Sequence, residues 1–585
     1  MKNNTVNSSL KLNILLQDKS FSHYGKLIQT YLHLIITSLW LLSSSVVAKD
    51  DTANMNDAIS AMSEHLNQAS LTRLKVDVSF LANDLLEGRE AGTVGYGLAA
   101  GYVGGQFSAI GLAPAGNDNT YFQPVQMVTS DLILDKSAGI SISDQAGNAI
   151  QANAKIAVDY ITRPKVGQTL SKAQGELVFV GYGFSSPNYE QDDFVDIDLT
   201  DKIAVVLRGG PHNLNSEERA HFGATQNERL SERGAIGTIM LFTPTEAAEI
   251  PFERLMKYFS SFSSMSWIND KGESYSSAPN IAASAILGSE YAKALFAGQP
   301  ISWSDVVAYK AEERSSLPSF DMGLSANIIA EAQVGSISSP NVLGYLPGTD
   351  PALAKEYIVV TAHLDHLGKT PTPESGDDEI NNGAMDNAVG IAAMLEAARL
   401  LKANPSKRPV VFLALTGEEK GLVGSDYFIR NPTLNNGKVV ANINLDMPIL
   451  TYEFTDFVAF GAERSTLYPE VKAAVESLDV TLSPDPVPEK GLFTRSDQYS
   501  FVEQGVPAVF LSTGWENGGK EAQADFIKNH YHSVTDEASL VNFEQLKRFT
   551  DINFTIIRNV GNMKARPKWV KDDFFGKIFN GEMEK

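Results

Sequence analysis

The chain has 585 residues, enough for more than one domain, and its 43% hydrophobic and 20% charged content is that of a globular protein with a sizeable core. A formal net charge of −22 argues against a nucleic-acid partner, whose phosphates it would repel. No cysteine occurs, so disulfides, thiolate zinc sites and cysteine nucleophiles are excluded, and any metal must be held by His, Asp and Glu.

At the amino end Lys11, Lys19 and Lys26 precede the apolar run LHLIITSLWLL at 32–42, followed by SSSVVA and the charged start KDD. A basic region, a short apolar core and a small-residue cleavage site make residues 1–48 an export signal, with Val46 and Ala48 before the cut. The mature protein is then periplasmic or secreted. The competing reading is an uncleaved anchor, but the run is short of the roughly 20 residues a span needs. No stable membrane span is expected after cleavage.

Residues 49–130 read as a helical amino-terminal part of a catalytic domain. Leu74, Val78, Leu81, Leu85 and Leu86 recur at helical spacing, Gly88, Gly92, Gly95 and Gly97 interrupt, and a second helix over Leu98–Ile110 stops at Gly111. From 131 to 335 the texture turns β-like. Ile140–Ser143, Glu176–Val180, Lys202–Leu207 and Gly237–Phe242 are short apolar runs between turn residues, with one helix over Asn227–Arg233. This segment reads as a β-rich domain of its own. Its histidines, His212 and His221, have no metal-ligand spacing, and the polar stretch 336–340 reads as the linker out of it.

The segment 336–585 alternates strand and helix: strands at Tyr357–Thr361, Pro409–Leu415, Val439–Leu445 and Ala508–Leu511, helices at Val389–Lys402, Gly424–Arg430, Leu467–Leu478 and Phe543–Val560. That order predicts an α/β domain with a central, mostly parallel sheet flanked by helices, whose chemistry gathers at the carboxyl ends of the strands.

Metal-competent residues fall at those ends. One strand runs into AHLDHLG, carrying His363, Asp365 and His366; Asp386 stands just before a helix; the next strand ends in Gly417-Glu418-Glu419; another ends in Asp446; and His532 lies in NHYHSVTD. Each piece alone has an ordinary alternative: a surface turn, an N-cap, a solvated glutamate pair, a core histidine. Together they offer hard oxygens and imidazole nitrogens suited to zinc, with manganese or cobalt as substitutes. Two histidines and three carboxylates suffice for two ions only if one carboxylate and a water or hydroxide bridge them, the arrangement of two-metal hydrolases.

These residues resemble the M28 family of zinc peptidases. AHLDHLG, NGAMDNAVG, LTGEEKGLVGS, NLDM and YHSVTDE look like its five metal-site blocks in order; LANDLLEGREAGTVGYG and FSAIGLAPAG look like the amino-terminal segment of exported members; FVGYGF and KIAVVLRGGP are similar to an inserted protease-associated domain. The resemblance implies a zinc-exopeptidase fold, peptide substrates and two zinc ions. It implies that Asp386 bridges the ions, that His363 and Asp446 complete one site and Glu419 and His532 the other. Glu418 is then the general base, and Asp365 the carboxylate that orients the His363 imidazole. The Asp386–Asn387 peptide is expected to be cis. Gln498 and Pro448 depart from the family's usual residues at positions expected near the substrate.

An aminopeptidase is the favoured activity. A carboxypeptidase of the same family would need a cation for the terminal carboxylate, Arg495 being a candidate. M20 amidohydrolases share the ligand types but place an extra domain between the last two ligands. Glutaminyl cyclases and metal-free receptor-like relatives on the same fold are opposed by the retention of all five ligands and Glu418. Nothing in the sequence assigns an oligomeric state.

Overall fold

The computed structural model describes residues 49–134, 138–186, 189–211, 213–249, 251–261, 263–311, 317–370, 378–434 and 436–585. The expected export signal at 1–48 lies outside them. Among the described residues no helix is long and apolar enough to cross a membrane. The chain divides into a small unit ending at Ser70 and a large one beginning at Leu71, and helix α1 (Lys49–Leu81) begins in the first and ends in the second.

In the large unit Leu74, Val78 and Leu81 of α1 are fully buried, as their spacing requires. A turn over Asp84–Arg89 follows, entered through Asn83, whose side chain accepts the Leu85 amide. Helix α2 (Val94–Ile110) starts before the expected Leu98 because Thr93 caps it, accepting the Tyr96 N–H at 3.2 Å. It stops where expected: Gly111 adopts φ 83° and its amide closes on the carbonyls of Phe107 and Ser108.

The middle region contains β1 (Phe122–Ile133), β2 (Gly139–Asp144), β3 (Tyr160–Pro164), β4 (Leu170–Phe179), β5 (Ile203–Leu207), helices α3 (Ser216–Ala224) and α4 (Gln226–Glu232), β6 (Gly237–Leu241) and β7 (Ala283–Leu287). β4, β5, β6 and β7 run parallel in that order and β3 closes the row antiparallel. The region therefore holds more helix than its β-like runs suggested: α3 is amphipathic only weakly and shows no clear apolar period.

The polar stretch 336–340 is not a linker. It lies inside β8 (Phe320–Leu346), a 27-residue strand. β8 pairs antiparallel with β2, β4 and β1 and, at its far end, with β10 (Val410–Leu415). Both expected boundaries of the middle domain, 131 and 335, fall inside β1 and β8, which pair with each other from Glu331↔Ile133 to Val342↔Phe122. Continuous backbone pairing outweighs the low strand propensity of Ser-Ile-Ser-Ser-Pro. Alternation shows there too: Ser339 is fully buried and bonds Thr416, while its neighbours are more exposed.

The remaining strands are β9 (Glu356–His363), β11 (Lys438–Leu445), β12 (Asp456–Phe460) and β13 (Ala508–Thr513). The sheet order is β8, β10, β9, β11, β13, β12. β10, β9, β11 and β13 are mutually parallel, and β8 and β12 are the antiparallel flanks. The expected mixed, mostly parallel sheet flanked by helices is the observed one. The strands β9, β10 and β11 are apolar runs buried on both faces. Each fully buried Val, Leu, Ile or Phe there contributes roughly 1.5–3 kcal/mol. Helix α5 (Val389–Ala403) is buried on nearly every side against α2 and α6 (Phe543–Asn562), which is why it reads as apolar all round. Its one buried charge, Glu396, is held by Arg73 and Arg399.

Candidate metal centre

Register sets the site. His363 ends β9 opposite Leu415 of β10, and the pairing Thr361↔Asn444 brings Asp446, just past β11, level with His363. Its Nε2 lies 3.0 Å from Asp446 Oδ1 and 3.1 Å from Asp386 Oδ1. The second oxygen of Asp386, Oδ2, lies 3.4 Å from His532 Nε2, which is also 3.2 Å from Glu419 Oε2. The five residues proposed from sequence are thus brought together, with Asp386 between two histidines. His532 arrives from a turn beyond a helix, Gly519–Asn529, rather than from a strand end, and stacks against Tyr531 at 3.8 Å between ring centroids. It adopts φ 55°, an unfavourable backbone for a non-glycine residue.

The backbone around Asp386 is clamped. The Asp386–Asn387 peptide is cis, as expected. Asp536 accepts the amides of Met385 at 2.9 Å and Asp386 at 3.0 Å. Asn387 accepts the amides of Gly390 and Met447 and donates to the Leu445 carbonyl, tying the start of α5 to the end of β11.

Asp365 does not orient the His363 ring with its carboxylate. The ring's Nδ1 faces the Asp365 backbone carbonyl at 3.1 Å. The Asp365 carboxylate instead accepts the backbone N–H of Glu418 at 3.2 Å and of Glu419 at 3.4 Å. Two residues beyond His363 the chain has left the strand and turned, so the side chain faces the neighbouring loop. Asp365 therefore shapes the turn that carries both glutamates.

Gln498 is also not at the cleft. It is fully buried behind β11, where its Oε1 accepts from Asn444 and its Nε2 donates to the Phe493 carbonyl. Asn444 also donates to Ser496, whose hydroxyl bonds Asp446 Oδ2 at 2.5 Å. Pro448 is buried and Arg495 exposed.

Residues to which no role was given complete the centre. Arg89 is buried with no carboxylate in its hydrogen-bonding fork. It donates to the backbone carbonyls of Leu364 at 2.9 Å, Asn382 at 2.6 Å, Gly383 at 3.0 Å and Leu81. Its neighbours act alike: Glu90 pairs with Lys420 at 2.9 Å, Glu87 with Lys369 at 2.8 Å, and Asp84 accepts from Asn382 at 2.8 Å. The segment DLLEGRE thereby fastens the loops bearing His363, Asp386 and Glu419. Its sequence signal was the run of charges beside glycines in an otherwise helical stretch. His366, in the same run as His363, has its Nδ1 2.7 Å from Glu419 Oε1.

Burial opposes charge throughout the cluster, and its members offset that for one another. Burial lowers His532, but contacts with Asp386 and Glu419 lift it to about 10. Burial also lowers His363, and the charge of Asp446 with contacts to Asp386 and Asp446 carries it well above the usual range. Burial raises Asp386, yet hydrogen bonds from His363 and His532 hold it well below the carboxylate range. Glu419 is raised by burial and Asp386 but brought to about 2 by His366 and His532. Its neighbour Glu418 goes the other way: burial, helped by Asp446, Glu419 and Asp497 against the charge of His363, keeps it well above that range. Burial and neighbouring charges thus push the two adjacent glutamates in opposite directions.

The donor set fits divalent metal. His363, Asp386 and Glu419 each offer a ligand atom within 4.8 Å of the others. Glu419 Oε1 and both ring nitrogens of His366 are buried without an aligned hydrogen bond among the described residues, the condition a coordinated ion relieves.

Residues 341–557 match Peptidase family M28. "Aminopeptidase YwaD" of Bacillus subtilis is 24% identical over 274 residues, 46% of this chain and 51% of that protein. "Alkaline phosphatase isozyme conversion protein" of Escherichia coli is 35% identical over 204 residues, 31% of this chain and 58% of that protein. The chain thus spans about half the length of the curated relatives it matches. Among solved structures, "Aminopeptidase from Aneurinibacillus sp. strain AM-1" aligns with a TM-score of 0.45 at 18% identity over 83% of this chain and 93% of that one. The ligand types at the ends of these strands lie within the same segment, residues 341–557, that matches Peptidase family M28.

Proposed function

We propose that this chain is an exported di-zinc aminopeptidase. One observation carries the reading: the two oxygens of Asp386 face two different histidines, Oδ1 toward His363 and Oδ2 toward His532, with Asp446 beside the first and Glu419 beside the second. A carboxylate so placed is suited to bridge two ions. His363 and Asp446 would hold one, Glu419 and His532 the other. When bound, the ions supply Lewis acidity toward a peptide carbonyl and an acidified water.

The chain's own residues do the rest. Glu418, kept proton-avid by burial, takes a proton from the attacking water as its oxygen bonds to the carbonyl carbon. It returns that proton to the amine nitrogen as the C–N bond breaks. Asp365 holds the backbone of Glu418 and Glu419, so base and metal ligand keep fixed relative positions. Substrate class rests on relatives bearing the name aminopeptidase, among them "Probable lipoprotein aminopeptidase LpqL" of Mycobacterium tuberculosis. Residues 131–335 we read as a protease-associated domain. A cavity of about 1100 Å³ lies between Trp267 and Tyr275 on its side and Leu422 and Tyr499 on the other; Gly421 and Leu422 line it, the proposed metal ligands do not.

The test is a panel of peptides with free and blocked amino ends, run on protein of measured metal content. Free-ended peptides should be trimmed from the amino end, chelation should abolish turnover, and zinc should restore it. Equal cleavage of blocked peptides, or turnover indifferent to prolonged chelation, would reject the reading.

A further inference from the structure

The geometry points to His366 as a further metal ligand at the position facing Glu419 and His532. This rests on the two-metal reading above and adds to it a residue that the reading does not use. His366 is fully buried. Its Nδ1 lies 2.7 Å from Glu419 Oε1 and 3.9 Å from Asp386 Oδ2, and its ring centroid is 5.8 Å from that of His532. Ligand atoms about 2.0–2.2 Å from one zinc ion stand about 2.7–4 Å from one another, so these separations are those of atoms sharing an ion.

The orientation argues the same way. At 2.7 Å the contact with Glu419 is close enough for a hydrogen bond, yet neither ring nitrogen makes an aligned one, and Glu419 Oε1 is equally unpartnered. A buried imidazole and a buried carboxylate oxygen in contact at 2.7 Å with no aligned hydrogen bond between them are an unusual pair in a native interior. An ion between them satisfies both. The chain also makes room for the ring. Gly383, at φ 57°, passes so near that a Cβ there would stand 2.6 Å from the His366 ring carbons. The ion facing Glu419 would then have four protein ligands, Asp386, Glu419, His532 and His366, and the ion facing Asp446 would keep the more open shell. An open position is what a reacting carbonyl requires, so His366 makes the two ions unequal.

X-ray absorption of the di-zinc protein decides this by the number of imidazoles. Three imidazoles shared between two ions are expected. His366→Ala should reduce them to two and weaken one of the two metal-binding steps about 10–100-fold in calorimetric titration, leaving the other step unchanged. His366→Asn, which can still donate a hydrogen bond but offers no imidazole, should behave like the alanine variant. A parent protein with two ions and only two imidazoles overturns the assignment. So does recovery of full affinity in His366→Asn, which would make the residue a hydrogen-bond donor to Glu419. A parent binding fewer than two ions overturns the two-metal reading itself. The absorption measurement uses the unaltered protein and decides the matter even if the alanine variant does not fold.

Discussion

Replacing Arg89 with methionine removes a buried cation that touches the metal-site loops only through their backbone. Four charge-assisted hydrogen bonds, to Leu81, Leu364, Asn382 and Gly383, contribute about 6 kcal/mol at the lower end of about 1.5 each. Against this stands the cost of keeping the guanidinium charged. Burial lowers it from its ordinary value to about 10 despite the nearby charges of Asp536, Asp365, Asp386 and Glu419, which amounts to about 3 kcal/mol. The difference, about 3 kcal/mol, is the expected loss of stability, within reach of a folded protein. Zinc affinity should fall as well, because Leu364 and Gly383 belong to the loops that present His363 and Asp386. Urea unfolding of the metal-free protein measures the first effect and calorimetric zinc titration the second. Arg495→Met, at an exposed position, is the control and should shift stability by less than about 0.5 kcal/mol. If Arg89→Met unfolds with the control and binds zinc as tightly as the parent, the clasp does not organise the centre.

Glu418→Gln should retain its zinc, seen by metal analysis, while turnover of a free-ended peptide drops about 10²–10⁴-fold; an active variant would leave that residue without its role. Asp365→Asn keeps one acceptor oxygen but sets an amide N–H against the backbone of Glu418 or Glu419. It should lower kcat about tenfold or more with little change in zinc content, whereas loss of zinc with kcat per bound ion unchanged would contradict its assignment to the glutamate turn. His221, on α3, bonds Tyr499 and is packed among Phe222, Phe574, Phe575 and Phe579. Burial, with the charge of Arg229, lowers it from 6.5 to about 3. A histidine whose folded value is depressed takes up a proton on unfolding, so its contribution is intact above the unfolded value and is lost as pH falls toward the folded one. Between pH 7 and 5 that is about 2 kcal/mol. His221→Gln should flatten this part of the stability–pH curve, and an unchanged slope would show that other groups carry it.

The one-dimensional pattern of this chain was enough to determine its strand and helix alternation and the chemical types gathered at the strand ends. Both are local properties. An apolar run as short and β-branched as VVFLAL, closed by Thr-Gly, fits a buried strand, and with no cysteine present, ligands must come from His, Asp and Glu. The five residues His363, Asp386, Glu419, Asp446 and His532 could be picked out because their loops follow periodic elements in a fixed order. What each side chain faces was not local. Asp365 looked like a partner for the nearby His363, yet it serves the Glu418–Glu419 amides from another strand, because the backbone turns between the two residues. The 336–340 stretch carries loop-like composition, but the partner strand that overrides it lies some 200 positions earlier. Arg89 stands 275 residues from the Leu364 carbonyl it binds, and no short-range pattern marks a cation whose acceptors are backbone oxygens. Sequence periodicity reports which face of an element is buried; only the packed chain decides which atoms meet there, because hydrogen-bond partners are chosen by distance in space and not along the backbone.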